Sequence, residues 1–320
     1  MTAPVIIADL HNHSTASDGE YSSSDLVSQA QKLGIKTIGM TDHDTIVGLD
    51  EFVRAGSKTG MQVITGVEVS LRFTRQYFTG SLHLLLYFTE KTLGRTEFRN
   101  DITNVLSKGR GLALVTDRVD AINREFGPEG RAPLLKRELT VDEITSLADN
   151  VTRRHFFMAL SQQHGIEDKK MIDLLIGNSS PAYIPSGIDM GLLTPLLHKY
   201  EVVKVLAHPA AGSFPGDSHY KEVLPPVETV EKIMPEFLDP QIIGIDGLEV
   251  YYPGHTHEHE DLLLEWCSTY NLIVTGGSDC HDKKARPLGV RGIGVNDLNI
   301  FLHKLNRDYS DHRDKIKTRH

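Results

Sequence analysis

The chain has little of what marks a secreted, membrane-bound or nucleic-acid-coating protein. Cysteine occurs twice, at Cys267 and Cys280, too few for a disulfide framework, and bare thiols suit a reducing compartment. Apolar runs are short, and none approaches the roughly 18 residues that a membrane-spanning helix needs. No basic-then-apolar leader precedes the strand-like Val5-Ile6-Ile7. Basic charge is in deficit: 34 Lys and Arg face 43 Asp and Glu, for a net charge of −9. That argues against a uniformly basic surface for gripping long nucleic acid. Together these absences describe a cytoplasmic protein with no membrane association and no evident obligate protein partner. What the chain does have is 39% hydrophobic residues in a length of 320, enough to core one large α/β domain or two compact ones. It also has sixteen histidines, and histidine is the commonest metal ligand.

Short β-like runs alternate with helical patterns through the first third of the chain. Val5–Ala8, Thr37–Met40, Val63–Ile64, Val67–Val69 and Leu82–Phe88 read as strands; Ser24–Lys32, Gly48–Ser57 and a long stretch Arg95–Glu125 read as helices. Such alternation predicts parallel β structure in an α/β fold. Residues 127–187 differ. Gly and Pro punctuate both ends, and Val141–Asp149, Thr152–His164 and Lys169–Leu175 are helical. We read three segments: residues 1–126 as the first portion of a barrel, residues 127–187 as a helical insertion that caps the substrate, and residues 188–320 as the second portion of the barrel. In the last, Val202–Leu206, Ile242–Val250 and Leu272–Thr275 read as strands and Met190–His198, Val227–Phe237, Thr256–Tyr270 and Asn296–Leu305 as helices. The charged tail Arg307–His320 reads as a solvated end.

The polar residues follow this map. Asp9-Leu10-His11-Asn12-His13, Thr41-Asp42-His43-Asp44, Glu68, His208, Glu249 and Gly277-Ser278-Asp279-Cys280-His281 fall at or near successive strand ends. In parallel barrels that edge carries the chemistry, because its loops converge on one pocket. His11 and His13, two apart on extended chain, project to the same side, and Asp279 and His281 repeat the spacing. Cys280 between them faces away and reads as a packed residue. Imidazole and carboxylate without thiolate suit Mn, Fe or Zn better than Ca or Mg.

The ordered set Asp9-Leu10-His11-Asn12-His13-Ser14, Ala16-Ser17-Asp18-Gly19, Thr41-Asp42-His43-Asp44-Thr45, Gly66-Val67-Glu68, Leu82-His83-Leu84-Leu85, Ala207-His208-Pro209 and Gly277-Ser278-Asp279-Cys280-His281 resembles the PHP (polymerase and histidinol phosphatase) family. Within it, Thr152-Arg153-Arg154-His155 and Ser180-Pro181-Ala182-Tyr183-Ile184-Pro185 resemble the small phosphoesterases acting on 3′,5′-nucleoside bisphosphates, nucleoside monophosphates or short RNA. That branch has proline where this chain has Arg154, and Leu93–Phe126 matches it poorly. The resemblance implies a distorted TIM-like (β/α)7 barrel with a small α-helical insertion and three divalent ions, manganese first, with iron or zinc as alternatives. It implies one ion on His11, His13, Glu68 and Asp279, a second on Glu68, His83 and His208, and a third on Asp18, His43 and His281.

The expected reaction is hydrolysis of a nucleotide phosphomonoester by a hydroxide shared between ions, since bound metal lowers the pKa of water. Arg153, His155 and His255 are the expected substrate contacts, His255 by its place in Tyr251-Tyr252-Pro253-Gly254-His255. His255 and Asp44 are the expected proton-handling residues; Asp44 could alternatively cap the helix that follows it. His257 and His259 read as solvated helix residues. Competing readings are a 5′→3′ exonuclease on short oligonucleotides, a phosphatase of another small metabolite such as histidinol phosphate, and a C–N or lactone metallohydrolase. A further alternative is a metal-binding regulatory protein with a decayed centre.

Overall fold

The computed structural model describes residues 6–148, 151–177, 179–216 and 224–307. Seven strands form one sheet in chain order: β1 Ala8–Asp9, β2 Thr37–Met40, β3 Gln62–Arg75, β4 Phe78–Phe88, β5 Val203–Leu206, β6 Gly247–Tyr251 and β7 Ile273–Gly276. Past the strand ends the sheet meets itself. Leu10 N–H donates to Gly276 O at 3.2 Å, His13 N–H to Cys280 O at 3.0 Å, and Asp279 N–H to His11 O at 2.8 Å. The result is a nearly closed barrel.

Among the described residues, twelve helices accompany the strands. They are α1 Ser23–Lys32, α2 Leu49–Thr59, α3 Glu90–Leu93, α4 Thr96–Leu106, α5 Leu112–Phe126, α6 Val141–Thr145, α7 Arg153–His164, α8 Lys169–Ile176, α9 Met190–Lys199, α10 Val227–Leu238, α11 His257–Tyr270 and α12 Val295–Leu305. None is long and apolar enough to cross a membrane.

Side-chain alternation builds the wall. On β4, Leu84 and Leu86 pack outward with the helices, whereas Leu85 and Tyr87 point into the barrel beside Ala8, Val205 and Phe301 of α12. Both faces are dry, so the strands read as continuous apolar runs. On β3 the outward set is Val67, Val69, Leu71 and Phe73. The even positions therefore face inward, and Glu68 occupies an inward position in line with Ile64. The same parity turns His83 and Glu249 inward, between Leu82 and Leu84 and between Leu248 and Val250.

Three expectations need correction. β4 pairs antiparallel with both β3 and β5, because only Gln76 and Tyr77 separate it from β3 and so short a link cannot cross over to a parallel strand. The turn lacks the Gly or Asn that would have signalled a hairpin. The helix over Arg95–Glu125 is broken into α4 and α5 by a short 3-10 turn, Ser107–Gly109, and by Gly111 at φ +90°. Ile242–Val250 yields a strand only from Gly247.

Helix α5 packs with the insertion. Val115, Val119, Ile122 and Phe126 share a second apolar cluster with Ile144, Phe156, Leu160, Ile172 and Leu175, separate from the barrel core. Val5, Asp149, His219 and the tail from 308, with His312 and His320, lie outside the described residues.

Candidate active site

At the end of the barrel where β1, β2, β6 and β7 finish, nine side chains converge. Glu68 stands among them. Its Oε1 lies 2.9 Å from His83 Nδ1 and 3.0 Å from His208 Nε2. Its Oε2 lies 3.3 Å from His11 Nε2, 3.2 Å from His13 Nε2 and 3.0 Å from His43 Nδ1. Asp279 Oδ1 sits 3.0 Å from His13 Nε2 and 3.4 Å from His281 Nδ1, and Asp18 Oδ1 sits 3.5 Å from His281 Nε2. His83 reaches the site from the middle of β4, which runs the opposite way.

The donor set fits divalent ions. Ligands about 2.1 Å from a tetrahedral ion stand about 3.4 Å from one another, the spacing found around Glu68 and Asp279. His13 Nδ1 and Asp18 Oδ1 are buried without a hydrogen-bond partner among the described residues. Buried polar atoms without partners are costly, and a bound cation satisfies donors of this chemistry. Four groups could each hold an ion: His11, His13, Glu68 and Asp279; His13, Asp18, His43 and His281; His43, Glu68 and His83; and His11, His208 and Glu249.

Electrostatics point the same way. Burial alone would raise Glu68 and Asp279; the imidazoles around them outweigh it and hold both well below the usual carboxylate range. Burial works to lower His13, yet hydrogen bonds and charge from Asp279 and Glu68 lift it to about 10. His43 and His281 go the other way, lowered chiefly by burial. Without a metal, protons on imidazole supply the positive charge these carboxylates need.

Other strand-end acids serve the loops. Burial pushes Asp9 up to about 6, against hydrogen bonds from Ser278, Gly289 and Asn12. Asp42 accepts from Ser14 N–H at 2.6 Å and from the hydroxyls of Ser14 and Ser17. Cys280 is fully buried in the barrel core.

A cavity of about 410 Å³ opens onto this cluster. Asp18, His43, Glu68, His83, His208, Asp279 and His281 line it, together with Arg110, Arg153, Arg154, Arg286 and Tyr183. Arg286 Nη1 donates to Asp279 Oδ2 at 2.9 Å, and the Arg153 guanidinium lies 5.7 Å from the Tyr183 ring centre. Arg154 is within 3.6 Å of Glu20. A second cavity of about 800 Å³ shares Asp18, Arg110 and Arg154 with the first and extends past His155 and Met158.

The remaining expected residues stand elsewhere. His155 Nδ1 accepts the N–H of Thr152 at 2.9 Å, within the capping box of α7, and its ring borders the second cavity. His255 is buried outside both cavities; its Nδ1 lies 2.8 Å from Val250 O, and its Nε2 accepts Ala210 N–H at 3.2 Å. Asp44 adopts φ +48°; one oxygen accepts Ser70 N–H at 2.8 Å and the other pairs with Arg110. It does not cap α2, whose N-cap is Gly48. His257 is exposed, while His259 Nδ1 accepts Thr256 N–H within the capping box of α11.

Sequence reasoning passed over Arg110, Arg286 and the carboxylate of Glu249 as a partner for His11. The break Gly109-Arg110-Gly111 was the available signal for the first.

A family profile described as PHP domain matches residues 9–177. Over 276 residues the chain is 26% identical to a 5′-3′ exoribonuclease of Haemophilus influenzae, covering 85% of this chain and 89% of that one. It is 28% identical to a phosphoribosyl 1,2-cyclic phosphate 1,2-diphosphodiesterase of Eggerthella lenta, covering 88% and 96%. Among solved structures, a Bifidobacterium adolescentis protein provisionally described as a metal-dependent phosphoesterase superposes with a TM-score of 0.68 at 24% identity, covering 93% and 96%. That likeness concerns the fold.

Proposed function

This chain belongs to the PHP domain family and is a metal-dependent phosphoesterase; from that premise we propose that it hydrolyses a phosphomonoester of a nucleotide. One observation carries the reading: a single cavity joins the His, Asp and Glu cluster to four arginines and a tyrosine ring. At about 410 Å³ it lies toward the lower end of the roughly 300–1,000 Å³ typical of small-ligand sites. Arginine forks suit phosphate, and Tyr183 offers a flat apolar face beside them.

In this reading three divalent ions, manganese first, are held by His11, His13, Asp18, His43, Glu68, His83, His208, Asp279 and His281. Bound ions supply Lewis acidity toward phosphoryl oxygens and bring the pKa of water toward neutrality. The protein's own role is orientation and charge. Glu68 presents one oxygen to each side of the cluster. Arg286, beside Asp279, opposes the charge that develops on the phosphoryl oxygens, while Arg153 and Arg154 at the start of α7 hold the part of the nucleotide that does not react. Asp44, held by Ser70 and Arg110, supports the His43 loop.

A second reading, hydrolysis of short oligonucleotides, draws on the adjoining cavity of about 800 Å³, which offers room beyond one nucleotide. The name of the Haemophilus relative favours it too.

Phosphate release with Mn²⁺ should be measured on 3′,5′-bisphosphates, nucleoside monophosphates, histidinol phosphate and short 5′-phosphorylated RNA. Release from nucleotides above the others is the expected result. No release from any member, with metals confirmed bound, overturns the reading. Elemental analysis of His83→Ala should show loss of about one metal equivalent; unchanged content removes His83 from the ligand set.

A further inference from the structure

Two passages of chain connect the barrel to the helical cap, and they run side by side. Ser107–Gly109, Arg110 and Gly111 lead in; Ser186, Gly187 and Ile188 lead out. Gly187 N–H donates to Gly109 O at 3.0 Å, Ile188 N–H to Ser70 O at 2.9 Å, and Arg72 N–H to Ile188 O at 2.8 Å. Gly109 lies so close that a Cβ there would meet the Gly187 backbone at 2.6 Å.

At this crossing Arg110 turns its guanidinium inward, with 8% of the side chain exposed. Its Nε pairs with Asp44, its Nη2 donates to Ser70 Oγ at 2.9 Å, and its Nη1 donates to Val151 O at 3.1 Å. Each partner belongs to a different region of the site. Asp44 adjoins His43. Ser70 shares the inward face of β3 with Glu68. Val151 immediately precedes Thr152, the N-cap of α7, whose first turn carries Arg153 and Arg154. One rigid, planar group thus touches the His43 loop, the Glu68 strand and the start of the helix that bears the cavity arginines. Lysine, a single point charge on a flexible stem, cannot span these three directions.

We propose that Arg110 is a positioning residue that sets the register between the His, Asp and Glu cluster and the arginines of α7. It thereby makes turnover depend on a substrate long enough to touch both. This rests on the phosphoesterase reading above. Binding energy from the portion of a substrate that does not react can be used at the reacting centre only when the two ends of the site are held in register. A nucleoside monophosphate reaches both ends, whereas phenyl phosphate engages mainly the cluster.

The test is kcat/KM for a nucleoside monophosphate and for phenyl phosphate, with metal content, for Arg110→Ala and Arg110→Lys. Both are repeated in an Arg153→Ala/Arg154→Ala background. Arg110→Ala should lower kcat/KM on the nucleotide about tenfold or more and on phenyl phosphate no more than about threefold, with metal content unchanged. Arg110→Lys should fall between it and the parent enzyme. In the arginine-deficient background the same change should cost less than about threefold, because a residue acting through α7 has little left to position. Equal losses on both substrates, equal losses in both backgrounds, or loss of metal would overturn the proposal. If Arg110→Ala does not fold, Arg110→Lys keeps a cation beside Asp44 and supplies the same comparisons. Failure of the unaltered enzyme to release phosphate at all would instead remove the phosphoesterase reading.

Discussion

His11 Nδ1 lies 3.0 Å from one carboxylate oxygen of Glu249, and the other oxygen accepts the backbone N–H of His208 at 2.9 Å. One buried carboxylate thus orients a ring on the β1 side of the cluster and pins the loop after β5. With Nδ1–H donated to Glu249, His11 turns the lone pair of Nε2 toward His13, Glu68 and Asp279. Glu249→Gln should therefore lower affinity for divalent metal by about 10- to 100-fold. Titration of metal-stripped protein with Mn²⁺ measures it, and unchanged affinity would show that His11 needs no partner at Nδ1.

His255 separates two roles. Both of its ring nitrogens are taken up by backbone, at Val250 and Ala210, and burial lowers its pKa to about 3, so the ring is neutral. His255→Ala leaves two buried backbone groups without partners, at about 1–3 kcal/mol each. The expected outcome is a lower melting temperature together with a KM shift smaller than that of Arg153→Ala. A KM effect matching Arg153→Ala, at undiminished stability, would restore His255 as a substrate contact.

Gly187 stands at φ +101°, and a Cβ there would meet Ser70 O at 2.3 Å. Any side chain strains the backbone and pushes the exit strand of the cap off β3. Gly187→Ala should cost about 1–3 kcal/mol and hasten cleavage between the barrel and the cap by a protease. A cleavage rate and melting temperature matching the parent would mean the two passages tolerate separation.

Glu143 gives a pH dependence with a defined sign. Burial would raise its pKa, but Arg137, both the N–H and the hydroxyl of Thr140, and His164 outweigh burial and lower it from 4.5 to about 2. The folded value lies below the unfolded one, so this carboxylate stabilises the cap above pH 4.5 and progressively less down to about pH 2. Glu143→Gln should melt a few degrees lower than the parent at pH 7, in keeping with about 1 kcal/mol for a lost capping contact. That gap should narrow as pH falls through the window. A gap independent of pH would assign the loss to packing.

Much of the site was legible because metal ligands must be particular residue types at particular places. The pairs His11/His13 and Asp279/His281 could be read from alternation alone, and the structure brings them within 3.5 Å of one another. Strand-end acids were less legible. Asp9, Asp42 and Glu68 look alike in sequence, yet the first two are consumed by serine hydroxyls and backbone N–H groups of neighbouring loops, and Glu68 faces five imidazoles. Nothing local distinguishes them, since what differs is the neighbour across the barrel.

The sequence by itself determined the α/β alternation, the same-side pairing of His11 with His13 and of Asp279 with His281, and the residue types available for binding a cation. These depend on a two-residue period and on side-chain chemistry, which any short stretch of chain carries. The tertiary structure alone decided the pairing of His11 with Glu249 across 238 positions. It likewise decided the reach of Arg110 to Asp44 across 66. Such contacts depend on how the barrel closes and how the cap seats on it, and a separation that long leaves no periodic trace.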